Sequence, residues 1–113
     1  MVRVVYNACY GGFSLSNDAM DRIIELGYEG LRPNAEYDPS YESFFASIKY
    51  WGDCDIPRHN PILVQVVEEL GEKANGSCAR LAIEEVDGPY RIEEYDGFET
   101  VKEPYDVHDW IIP

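Results

Sequence analysis

Asn7-Ala8-Cys9-Tyr10-Gly11-Gly12-Phe13-Ser14-Leu15-Ser16 is the stretch on which the reading of this chain turns. A β-branched run over residues 2–6 precedes it and a helical pattern opens at Ser16, so the paired glycines mark a strand-to-helix turn. Ser16 is a good N-cap, Asn17 and Asp18 place polar and negative groups in the first turn, and Leu15 is set to staple onto Met20. Ile23 and Ile24 continue the apolar face, and Gly27 is the expected stop.

Beyond this first unit, residues 28–41 carry Pro33, Pro39, Gly30 and Asn34 with several acids and follow neither period, which predicts a surface insertion. Phe44, Phe45, Ile48, Tyr50 and Trp51 restore aromatic content over residues 43–51, as in a strand or a strand after one helical turn. Residues 53–59 read as an extended linker, because Pro57 biases the residue before it away from helix.

Asn60 then caps a second helix, with Pro61 at the first position, where a missing N–H costs nothing. Leu63, Val66, Val67, Leu70 and Ala74 make its buried stripe, Glu68, Glu69, Glu72 and Lys73 face outward, and Gly76 ends it. Residues 78–86, 90–95 and 98–101 read as three strands joined by turns at Asp87-Gly88 and Asp96-Gly97, and residues 102–113 as an extended C-terminal tail with Trp110, Ile111 and Ile112 free to dock. The expected fold is a single α+β domain over residues 1–113. Two amphipathic helices pack on a mostly antiparallel sheet that ends in a three-stranded meander.

Charge narrows the function. Nine Lys and Arg stand against 22 Asp and Glu, a formal charge of -13, which repels polyanions and argues against direct binding to nucleic acid or to an anionic membrane. The same charge suits solubility, or a protein that occupies a basic groove by imitating nucleic acid. No long apolar run or charged-then-apolar leader is visible. Cys9, Cys54 and Cys78 lack CxxC spacing, so a cytoplasmic location with reduced thiols is expected.

Chemistry-bearing groups are few. Two adjacent glycines before a helix let backbone N–H groups converge on an anion, and Tyr10, Phe13 and Tyr95 are rings able to stack on a flat ligand. Arg58 and His59, just before the second helix, add cationic donors. The candidate ligand-binding set is therefore Cys9, Tyr10, Gly11, Gly12, Phe13, Ser14, Arg58, His59 and Tyr95, for a small nucleotide-like or other anionic ligand. The stretch is neither GxxxxGK[ST] nor GxGxxG, and a plain tight turn is its bland reading.

Asp53, Cys54, Asp55 and His59, or His108 with Asp109, match no standard zinc or calcium spacing, so no metal and no cofactor are expected. Cys9 as nucleophile needs a histidine from far along the chain, and Glu94 with Asp96 as an acid/base pair competes with the turn that Asp96 makes. No catalytic residue is assigned.

The set Cys9-Tyr10-Gly11-Gly12-Phe13-Ser14-Leu15-Ser16, Ile56-Pro57-Arg58-His59-Asn60-Pro61 and Glu94-Tyr95-Asp96-Gly97 resembles a family of small uncharacterised proteins encoded mainly by bacteriophages. The resemblance spans most of the chain apart from residues 28–41. It implies a viral accessory protein acting in the host cytoplasm and carries over no activity. By analogy with such proteins, three roles stand: sequestering a small signal to counter host defence, inhibiting a basic host protein as an acidic mimic, or turning over a nucleotide or small metabolite. The first is the leading expectation, and a homo-oligomer is compatible with all three.

Overall fold

The computed structural model describes residues 2–40, 46–103 and 111. β1 (Val2–Asn7) leads through the glycine turn to α1 (Asn17–Glu25). β2 (Arg32–Pro33) and β3 (Tyr50–Trp51) form a short antiparallel pair, and a 3-10 turn at Asp53–Asp55 precedes α2 (Pro61–Leu70). β4 (Leu81–Val86), β5 (Arg91–Tyr95) and β6 (Phe98–Lys102) close the fold. The architecture is α+β, with two helices and antiparallel strand pairs.

β1 is the strand that both layers share. Successive side chains on a strand point to opposite faces. Val5 accordingly lies in the core under the helices, with Met20, Ile23, Leu63, Val66 and Val67, while Val4 lies on the other face with Val86 and Tyr90. Burial on both faces accounts for the β-branched run.

The helix ends follow their local chemistry. Ser16 Oγ accepts the Ala19 N–H, and Asn60 Oδ1 accepts those of Ile62 and Leu63. At the end of α1, Tyr28 N–H donates to Ile23 O and Gly27 N–H to Ile24 O, with Gly27 at φ +102°; this is a Schellman stop. Leu15 and Met20, the expected staple pair, are both buried in the same core cluster. Between the helices, Arg22 donates to Glu69, and that hydrogen bond holds the Glu69 carboxyl below its ordinary range.

Several details differ from expectation. α2 ends at Leu70, because Gly71 turns to φ +57°, and a 3-10 turn carries Ala74 into the core. Residues 28–41 hold the strand β2, and the linker at 53–59 holds the 3-10 turn. The expected strand over 43–51 is reduced to Tyr50–Trp51, with Phe44 and Phe45 outside the described residues.

The largest difference is in the meander. Among the described residues β4 pairs with β1, from Val2↔Val86 to Asn7↔Leu81, while β5 and β6 form their own hairpin around Asp96-Gly97. Pro89 explains the break after β4, since a two-residue hairpin at Asp87-Gly88 needs an N–H at the residue that follows and proline has none. Of the tail, Ile111 bridges Tyr90 in antiparallel fashion; Trp110 and Ile112 lie outside the described residues.

Candidate functional site

Asn7, fully buried at the end of β1, organises the glycine turn. Its Nδ2 donates to Cys9 O and Gly97 O, each at 2.7 Å, and its Oδ1 accepts the Arg80 N–H at 2.8 Å. One side chain thus ties the turn to the entry of β4 and to the tip of the β5–β6 hairpin. Gly11 and Gly12 stand at φ +119° and +102°, which glycine adopts without strain. The Gly11 N–H, expected to face an anion, donates instead to Asp96 O at 3.1 Å. A Cβ on Gly97 would overlap the Gly12 nitrogen, so the two glycine turns are in backbone contact. Tyr10 lies exposed beside Phe98, ring centroids 5.3 Å apart, Tyr95 is exposed, and Cys9 is half-buried.

Arg58 and His59 part company. The Arg58 guanidinium sits 3.7 Å over the Phe13 ring and makes a two-pronged ion pair with Glu99, at 2.5 and 2.9 Å. Glu99 Oε1 also accepts the Asn7 N–H at 2.8 Å. The Arg58 charge is therefore balanced within the fold and is not the cationic donor that the sequence suggested. His59 Nδ1 is hydrogen-bonded at 2.7 Å to the hydroxyl of buried Tyr90, whose pKa burial pushes up. His59 lines a shallow surface depression of about 540 Å³ beside Arg3, Val64 and Glu68.

The better-enclosed cavity, about 440 Å³, lies on the helix side of the turn. Its lining comes from Phe13, Ser14 and Leu15 of the turn, Arg32 on β2, Ile48, Trp51 and Gly52, and Asp53, Cys54 and Asp55 of the 3-10 turn. Backbone stitching holds the walls. Leu15 N–H donates to Asp53 Oδ2 and Cys54 N–H to Asp53 Oδ1, both at 3.1 Å, and Gly76 N–H donates to Ser14 O at 3.0 Å. Gly52, at φ +103°, admits no Cβ, which would lie 2.9 Å from Gly30 O.

The lining is mostly apolar. Arg32, paired with Trp51 across the β2–β3 ladder, is exposed. Cys54 Sγ donates to Phe13 O at 3.5 Å. Although the residue is exposed overall, partial burial of the sulfur and then the Asp53 carboxylate push its thiol up, so it is protonated at neutral pH.

Of the nine expected residues, Phe13 and Ser14 line this groove, Phe13 also carrying Arg58 on its ring. Cys9, Tyr10, Gly11 and Gly12 gather at the hairpin with Tyr95 on its β5 strand, while His59 lines the separate depression beside Arg3 and Glu68. Sequence reasoning missed Arg32, Ile48 and Asp53 as lining residues, and Asn7 as the organiser. Trp51 was visible only as one ring among many. Among the described residues no three His, Cys, Asp or Glu side chains converge to hold a metal ion; His108 and Asp109 lie outside them. Compared with protein-family models, curated proteins and solved structures, the chain matches none.

Proposed function

We propose that this protein binds a small molecule, holding a flat ring that carries an anionic group in the groove between Phe13–Leu15 and β3. The observation that carries the reading is the combination, in one cavity of about 440 Å³, of a mostly apolar lining and the exposed Arg32 cation; of the two carboxylates that share the lining, Asp53 is engaged by the Leu15 and Cys54 N–H groups and Asp55 opposes an anion. Cavities of this size enclose most of a drug-sized or nucleotide-sized ligand, with a few polar groups setting its orientation. Trp51 supplies ring surface, the edge of buried Phe13 adds apolar contact, and Arg32 supplies a planar donor for a phosphate or carboxylate. The biological role that accompanies this reading, sequestering a nucleotide-like signal in a host cell, rests on the motif resemblance.

Native mass spectrometry of fresh protein, followed by calorimetry against mononucleotides and aromatic carboxylates, tests it. Arg32→Glu should weaken a bound anionic ligand by about tenfold or more while leaving the fold intact, and Trp51→Ala should do likewise. A clean mass together with no heat from any member of the panel overturns the reading.

A further inference from the structure

β4 carries an open hydrogen-bonding edge. The pairing with β1 runs Val4↔Glu84 and Val5↔Ile83, and Val5 N–H points away from β4, to Arg58 O at 2.9 Å. In an antiparallel ladder, the N–H and C=O of one residue point to the same side and alternate along the strand. Even-numbered residues of β1 and β4 therefore bond to each other, and odd-numbered ones face outward.

On β1 two of the three outward N–H groups are occupied, Val5 by Arg58 O and Asn7 by the Glu99 carboxylate, which leaves that of Arg3, across from Glu85. On β4, Leu81 N–H is taken by Asn75 Oδ1 at 2.8 Å. Among the described residues, nothing meets the outward N–H and C=O of Ile83 and Glu85. Two of the three outward positions of β4 are thus an unused template for another strand.

The surrounding charge says what fits. Glu84 and Glu85 are exposed and point to opposite faces of the strand. Glu85 is loosely held, 3.5 Å from an Arg3 guanidinium that lies closer, at 2.6 Å, to Glu68. A second copy of this chain pairing antiparallel along β4 would set these glutamates against each other, in a dimer of two chains each at -13. An extended segment with basic side chains on both faces meets the opposite condition. We propose that the Ile83–Glu85 edge of β4 accepts an extended lysine- or arginine-rich segment of another protein as an added strand. Main-chain hydrogen bonds supply affinity and the two glutamates supply selectivity. This site is separate from the groove and does not rest on the small-molecule reading.

A synthetic peptide of about eight residues, with lysines in adjacent pairs separated by valine pairs so that both faces of the strand carry charge, is the probe, long enough to cover one strand. NMR titration should show Ile83 and Glu85 amide protons gaining protection from exchange, with Glu84, already paired to β1, unchanged. Binding should weaken steeply as salt rises past a few tenths molar. The same peptide methylated at every backbone nitrogen keeps its charges but cannot pair, and should bind about tenfold more weakly or worse. Glu85→Pro, which removes an outward N–H and leaves the β1 ladder, should weaken binding too; if that variant unfolds, the methylated peptide decides.

Equal affinity for the methylated peptide, or unchanged exchange at Ile83 and Glu85, overturns the proposal. So does protection of these amides without peptide, whether concentration-dependent, which assigns the edge to a second copy, or concentration-independent, which assigns it to the chain itself.

Discussion

Arg58 and Glu99 show what a single residue's surroundings do to its meaning. An arginine before a helix reads as an anion receptor, yet here its side chain is only 15% exposed and that of its partner 8%. An ion pair that is this dry gains little over a well-packed apolar pair, but losing one member strands the other charge without water. Glu99→Leu should therefore destabilise the fold by about 3–5 kcal/mol, and adding Arg58→Met should recover much of that loss. Urea denaturation of the two variants measures both. A loss of under about 1 kcal/mol for Glu99→Leu would mean that the pair is solvated in solution, as surface pairs are.

At the scale of elements, α2 is the clearest case of a local pattern surviving into the fold. Its cap, its N1 proline and its stripe of Leu63, Val66 and Val67 stand where periodicity puts them, because each depends on neighbours within one or two turns. Val67 is 6% exposed against α1 and β1, whereas Glu68 is exposed and pairs with Arg3. Val67→Asp forces a carboxylate into the core and should abolish the cooperative unfolding transition, while Glu68→Lys should shift stability by no more than about 1 kcal/mol. Circular dichroism melts of both separate the two faces of the helix; comparable losses would refute the burial assignment. β4 behaves differently. Its existence was legible from residues 78–86, but its partner was not, since pairing joins residues about 80 positions apart and leaves no local mark.

The whole molecule carries a charge imbalance that local pairing does not relieve. Ion pairs such as Arg22–Glu69, Lys49–Asp21 and Arg58–Glu99 engage several of the nine cations, and most acids are left to repel one another. Raising ionic strength from about 0.01 M to about 0.5 M shortens the screening length severalfold and should raise the thermal midpoint. Calorimetry with sodium chloride checks the direction. A midpoint that falls with salt would show that the favourable pairs outweigh the net repulsion. The same field bears on both proposed sites, since it favours a cationic strand along β4 and opposes an anion in the groove except where Arg32 offsets it.

What the sequence determined by itself is everything set by spacing over a few residues. That includes the strand before Gly11-Gly12, the capped starts of both helices, the Gly27 stop, the Asp96-Gly97 turn and the α+β class. Tertiary structure alone decided how those pieces meet. Asn7 tying two distant turns together, Arg58 spent on Glu99, Gly11 bonded to Asp96, and the groove assembled from Phe13, Arg32 and Trp51 all join residues far apart in the chain. The physical reason is that capping, turn preference and amphipathic period are local energies written residue by residue. Ion pairing, strand partnership and cavity formation depend on which surfaces the core brings together, and no short stretch of sequence contains that information.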